Sequence, residues 1–182
     1  KNNKINTAYY HGGAELLRQT IKQNFEIDIH YYALVDFQGF EKVVDALAPN
    51  GVEIDVEKKM SYRIGVVLEP GLQRLNGKEL LGYARFRHDA QGDFARVERQ
   101  QKVISALKDE MISFYGVTRL PKMIGTIQPF VVTNLNGLDR MALITDFLLN
   151  PPDTIETLRI PVEGSFWDES YKHAGAVLEL DI

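Results

Sequence analysis

Ile27-Asp-Ile-His-Tyr-Tyr-Ala-Leu-Val-Asp-Phe-Gln-Gly-Phe-Glu-Lys-Val-Val-Asp-Ala-Leu-Ala-Pro-Asn-Gly-Val-Glu-Ile-Asp-Val56 changes its hydrophobic period twice. Ile27 to Tyr31 alternates, and Tyr32 to Val35 is apolar on both faces, which predicts a strand buried at its second half. Asp36 stands where a helix cap belongs, before a helix carrying Phe37, Phe40, Val44 and Leu47 on one side. Ala48-Pro49-Asn50-Gly51 is a turn, and Val52 to Val56 is a strand with one wet face. Strand, helix and strand in succession point to an α/β chain.

The pattern continues outward from this unit. Upstream, Ala14, Leu17, Ile21 and Phe25 mark one face of a helix over 13–25. Downstream, Ile64 to Leu68 is a short strand, and a helix follows Asn76-Gly77 through Leu80, Leu81 and Ala84 to Arg85. His88 to Gly92 is a polar loop. The longest helix runs from Asp93 to about Phe114, with Val97, Ile104, Leu107, Met111 and Phe114 as its apolar stripe. Helical stretches are expected around 121–127 and over 138–149, the second started by Thr133-Asn134. The tail holds strand-like runs at 155–160 and 176–182. Helices on both faces of a sheet, in one domain over 1–182, is the architecture this predicts.

The 182 residues carry 21 Lys and Arg against 25 Asp and Glu, a net charge of -4, which argues against a generic nucleic-acid binder. No cysteine is present, which excludes a disulfide framework, a cysteine zinc site and thiol catalysis. No run approaches the ~18–20 apolar residues of a membrane-spanning helix. Lys1-Asn2-Asn3-Lys4 does not lead a signal peptide; the start lacks Met and opens in mid-element, as if cut. Histidines at 11, 30, 88 and 173 are too scattered for a histidine metal site. Neither a Gly-x-Ser-x-Gly nor a Walker sequence occurs.

Chemistry concentrates in Tyr83-Ala-Arg-Phe-Arg-His-Asp-Ala-Gln-Gly-Asp-Phe-Ala-Arg-Val-Glu-Arg-Gln-Gln-Lys102. Arg85, Arg87, Arg96, Arg99 and Lys102 outnumber Asp89, Asp93 and Glu98 there, inside an acidic chain. Arg96, Arg99 and Gln100 share a helix face by their i, i+3, i+4 spacing. Asp93 sits at the N-cap position. Guanidiniums gathered at a helix N-terminus suit a highly charged anion, because each fork can bind two phosphate oxygens. The same spacing also suits a solvated helix face laced with ion pairs, and composition alone leaves both open.

Several segments resemble the catalytic domain of the LytR-CpsA-Psr family of cell-wall glycopolymer transferases. They are Lys4-Ile-Asn-Thr-Ala-Tyr-Tyr-His-Gly-Gly13, Val35-Asp-Phe-Gln-Gly-Phe40, Gly51-Val-Glu-Ile-Asp55, Leu72-Gln-Arg-Leu-Asn-Gly77, Tyr83-Ala-Arg-Phe-Arg-His-Asp89 and Gly92-Asp-Phe-Ala-Arg-Val-Glu-Arg-Gln-Gln101. They occur in family order over about the first 105 residues. Ala95 stands where the family usually has Gly, and Pro49-Asn50-Gly51 replaces a Gly-Gly-Val turn.

The resemblance implies a three-layer α/β/α sandwich with a central mixed sheet flanked by helices. It implies transfer of a phosphoryl-linked glycopolymer, such as teichoic acid, capsule or another wall polysaccharide, from undecaprenyl pyrophosphate to peptidoglycan. The head group would lie on arginines and the tail in an apolar tunnel. Carried over, Arg85 and Arg87 match the Arg-x-Arg pair, and Arg96, Arg99 and Gln100 the Arg-x-x-Arg-Gln that follows. All five would be head-group ligands, with Arg85, Arg87 and Arg96 catalytic and Asp93 orienting the arginines.

Family members also carry an N-terminal portion with acidic ligands for Mg2+, further arginines and a membrane anchor. None of it is in this chain, which reads as the C-terminal part of a catalytic domain working at the extracellular face of the cytoplasmic membrane. Self-association and weak magnesium binding are therefore expected of residues 1–182 alone. The competing reading is a polyprenyl-pyrophosphate phosphatase, or a non-catalytic lipid-binding scaffold in envelope assembly.

Overall fold

The computed structural model describes residues 4–88, 93–115, 125–157, 161–162 and 164–180. The chain divides into two compact units, one of residues 33–155 and one that joins 1–32 to 156–182.

α1 (Asn6–Phe25) belongs to the smaller unit, and the larger one begins with β1 (Ala33–Leu34) and α2 (Phe37–Leu47). The Asp36 carboxylate accepts the Gly39 N–H at 2.6 Å, so the expected cap is in place. Strand β2 (Val52–Val56) buries Val52, Ile54 and Val56 and exposes Glu53 and Asp55, the alternation read from its sequence. It pairs antiparallel with β3 (Gly71–Leu75), Val52 opposite Leu75 and Val56 opposite Gly71. α3 (Gly77–Arg85) opens with a capping box of Asn76 and Glu79, which satisfies two otherwise orphan amides reciprocally. α4 (Asp93–Tyr115) is the longest helix. β4 (Val132–Thr133) pairs antiparallel with β1, and α5 (Gly137–Leu149) is capped by Asn136.

One core holds this unit together. Val44 of α2, the inward face of β2, Met60, Leu68, Leu75, Leu80, Tyr83, Phe86 and Val103 are all buried in it. A smaller cluster around Leu47 takes in Val43, Met111, Ile127 and Ile144, joining α2, α4 and α5. Arg74 of β3 ties the sheet to its surroundings: it donates to the carbonyls of Asn50 (2.9 Å) and Gly51 (2.7 Å) and pairs with Glu110 of α4.

In the smaller unit, α1 (Asn6–Phe25) is kinked where Gly12 and Gly13 leave helical geometry, Gly13 at φ +63°. The hairpin of β5 (Phe166–Tyr171) and β6 (Gly175–Leu180) completes it, Tyr171 opposite Gly175.

The chain is thus a mixed helix and sheet structure, and its strands differ from the expected ones in several places. Among the described residues they form three separate antiparallel pairs. Ile27 to Tyr31 alternates like a strand, yet of the expected strand over 27–35 only Ala33–Leu34 is in extended ladder geometry. Ile64 to Leu68 contributes one bridge, Leu68 to Met60; Gly65 at φ +74° turns the backbone out of extension. Residues 155–157 form no strand, and 158–160 lie outside the described residues, as do 121–124 of the expected helix. β3 and β5 were not anticipated. The cap of α5 is Asn136 rather than the Thr133-Asn134 pair.

Candidate functional site

The end of α3 sets out the first two arginines. Ala84 and Phe86 are buried while Arg85 and Arg87 are exposed. Phe86 leaves the helix in an extended conformation (φ -61°, ψ 132°). Its ring anchors the segment in the core, so both flanking guanidiniums stand outside.

α4 brings the rest. One Asp93 carboxylate oxygen lies 2.8 Å from Arg87 Nη2 and 3.0 Å from Arg96 Nη2. The two arginines come from different elements and converge on this single acidic group in the first turn of the helix. Arg96 Nε is buried and makes no hydrogen bond among the described residues. Arg85 turns towards α2, its guanidinium carbon 4.2 Å from the centre of the Phe37 ring. His88 packs on Tyr62 at 4.5 Å between ring centres.

Arg99 is placed otherwise than its spacing suggested. The buried stripe at this end of α4 is Ala95, Arg99 and Val103, recurring every four residues, and Arg99 is only 3% exposed. Its Nη2 donates to the Phe86 carbonyl at 2.7 Å, and its guanidinium lies over the Phe86 ring. Gln100 Nε2 donates to the Ala84 carbonyl at 3.4 Å. The last carbonyls of a helix lack intrahelical partners; Arg99 and Gln100 supply them and so lock α4 to the end of α3. Ile104, expected on the apolar stripe, is 58% exposed, because the helix turns the 95–99–103 face inward instead.

Beneath these groups Tyr83 is fully buried and donates its hydroxyl to Glu57 at 3.0 Å. Burial, reinforced by the Glu57 carboxylate, pushes the Tyr83 hydroxyl well above the usual tyrosine range. An apolar pocket of about 150 Å³ lies between β1, β4 and α5, lined by Ala33, Ile127, Val131, Leu135, Ile144 and neighbours. α2 approaches both regions: Phe37 carries Arg85, and a Cβ at Gly39 would come within 3.0 Å of the Phe130 carbonyl, next in the chain to pocket-lining Val131.

The described residues offer magnesium no cluster of ligands. Among the described residues no three His, Asp or Glu side chains gather into a metal site, and Asp93 is engaged by two guanidiniums. Asp89 lies outside the described residues.

The family model of the LytR_cpsA_psr family matches residues 1–181. The chain belongs to this family. It is 48% identical over 180 residues to the regulatory protein MsrR of Staphylococcus aureus (strain COL), covering 98% of this chain and 54% of MsrR. It is 32% identical over 164 residues to the polyisoprenyl-teichoic acid–peptidoglycan teichoic acid transferase TagV of Bacillus subtilis (strain 168), covering 86% of this chain and 41% of TagV. The crystal structure of B. subtilis TagV superposes with a TM-score of 0.79 at 30% identity, over 98% of this chain and 68% of that one. The chain thus spans about half the length of the curated relatives it matches. Among the described residues no helix is long and apolar enough to cross a membrane.

The residues that the sequence did not single out are Phe37, Phe86 and Tyr83. Phe37 falls by its spacing on the core face of α2, yet it is 58% exposed. Its one signal was position, directly after a cap, where a helix residue has half its neighbours missing.

Proposed function

We propose that the protein of which this chain is part transfers a phosphoryl-linked wall glycopolymer from an undecaprenyl-pyrophosphate carrier to peptidoglycan at the cell surface. The observation that carries this is the convergence of Arg87 and Arg96 on one carboxylate oxygen of Asp93. Two guanidiniums from separate elements, held by a single half-exposed acid, form a ready cradle for phosphate oxygens. TagV, similar in sequence and fold, is named as a teichoic acid transferase.

In this reading Arg85, Arg87, Arg96 and Gln100 contact the pyrophosphate, and Asp93 keeps Arg87 and Arg96 aligned until it arrives. Arg99 moves from ligand to support, since a guanidinium 3% exposed and bound to the Phe86 carbonyl cannot reach a surface anion without dismantling the α3–α4 junction. The chemistry needs no protein nucleophile. A sugar hydroxyl of peptidoglycan attacks the glycopolymer-side phosphorus, the bridging P–O bond breaks, and polyprenyl phosphate leaves as the hydroxyl proton passes to solvent. Arginines lower the barrier by positioning the phosphates and neutralising charge on their non-bridging oxygens. The pocket beside α2 gives the first isoprene units an apolar surface.

We assign the ligands of a magnesium cofactor, and a membrane anchor, to parts of the protein outside this chain. We also assign the three-layer α/β/α sandwich to the longer protein, which would extend the short sheets seen here. The test is an assay of the full-length protein with a polyprenyl-pyrophosphate-linked oligosaccharide, magnesium and peptidoglycan. Glycan covalently bound to peptidoglycan, formed together with polyprenyl phosphate, is the expected product. Phosphate release that is indifferent to acceptor would make the protein a phosphatase, and lipid binding without turnover a scaffold.

A further inference from the structure

We infer that Phe37 is a positioning residue for Arg85, holding that guanidinium ready for phosphate through a cation–π contact. The inference deepens the pyrophosphate reading above and rests on it. The Arg85 guanidinium carbon stands 4.2 Å from the ring centre, well inside the range of such contacts.

Arg85 differs from its two companions in how it is held. Arg87 and Arg96 share the Asp93 carboxylate, whereas Arg85 forms no ion pair among the described residues. A carboxylate occupies guanidinium N–H donors and must be displaced by an incoming anion. An aromatic face orients the same group through its quadrupole and leaves all five N–H donors available. Phe37 therefore aims Arg85 without competing for it.

The location of Phe37 supports that role. It is the first residue of α2, directly after the Asp36 cap, so its backbone is fixed by the Asp36–Gly39 hydrogen bond. The residue is 58% exposed, a costly placement for a phenylalanine that serves only packing. Leucine at this position would keep the apolar bulk and lose the π face.

The experiment measures binding of inorganic pyrophosphate, which has no tail, to the full-length protein by calorimetry. Phe37→Leu should weaken binding about 2- to 5-fold, and Phe37→Tyr should restore it. Phe37→Trp should match or exceed the wild type, because indole is the best π face. In an Arg85→Gln background none of these changes should matter. Equal losses in both backgrounds would overturn the inference, as would a loss seen with polyprenyl pyrophosphate and not with inorganic pyrophosphate, which would mark a tail contact. If Phe37→Leu does not fold, the Trp and Tyr variants decide the matter by the same dependence on Arg85. A wild-type protein that binds neither ligand overturns the pyrophosphate reading and this inference together; a wild type that binds while Phe37→Leu binds equally well overturns the inference alone.

Discussion

The two ends of α3 are built on opposite principles. At the N-terminal end the backbone amides are met by fixed protein acceptors: Asn76 and Glu79 cap each other's backbone, and the Gly77 N–H donates to Asp45 of α2 at 2.7 Å. A Cβ at Gly77 would overlap the Glu41 backbone of α2, so helix and helix meet with no side chain between them. At the C-terminal end positive charge is in excess. Arg85 rests on a ring, Arg87 and Arg96 divide one carboxylate, and Arg96 Nε has no hydrogen bond among the described residues. A saturated end resists change and can only hold the fold. An end whose guanidiniums share one acid and rest on a ring keeps donors in reserve, which is what the proposed anion site requires.

This contrast can be broken most forcefully at Gly77. Gly77→Val must push α3 away from the Glu41 backbone, which cannot rotate aside as a side chain would. A loss of about 3 kcal/mol in chemical unfolding is expected, and a neutral result would show that the closed end is not close-packed.

At the open end, Arg96→Lys keeps the charge and loses the fork. Pyrophosphate-lipid binding should weaken by about 2 kcal/mol, roughly 30-fold, with unfolding little changed. Undiminished affinity would mean that a diffuse positive field suffices and bidentate geometry is irrelevant.

Tyr83 lies between the two ends and sharpens the boundary. Removing its hydroxyl in Tyr83→Phe should cost about 1.5 kcal/mol, the worth of a hydrogen bond to a charged acceptor. The sign of its pH dependence follows from the raised folded-state value, caused first by burial and then by Glu57. Its contribution is complete below the unfolded tyrosine value near ~10 and is lost as pH climbs above that towards the folded value. Stability measured from neutral pH into the alkaline range should fall for the wild type and fall less steeply for Tyr83→Phe. Identical slopes would place the alkaline transition elsewhere.

The smallest effect belongs to the cap itself. Asn76→Ala removes half of the capping box and should lower stability by about 1 kcal/mol, with anion binding unchanged. A change in binding instead would mean that the two ends of α3 communicate.

The sequence by itself determined the local features. Asp36, Asn76 and the Ala48–Gly51 turn carry their geometry in their own short side chains or backbone freedom. α2, β2 and α3 could be bounded from those residues and from hydrophobic period alone. The Arg-x-Arg and Arg-x-x-Arg-Gln motifs marked the site region for the same reason, since their spacing is read along one chain.

Tertiary structure decided which candidates pair and which face is inward. Residues 27–31 have the strand period, but a strand also needs a partner edge, and the ladder with Val132–Thr133 begins only at Ala33 and Leu34. β3 alternates in burial but not in hydrophobicity, with Leu72 68% exposed and Leu75 buried on the other face, and is a strand because β2 offers its backbone. Arg99 shows the limit most clearly. Helical spacing placed it beside Arg96 and Gln100, and it could not reveal that the Phe86 carbonyl waits beneath it. A buried acceptor at the end of another helix is a property of the packed molecule, and it draws the long guanidinium inward to satisfy it.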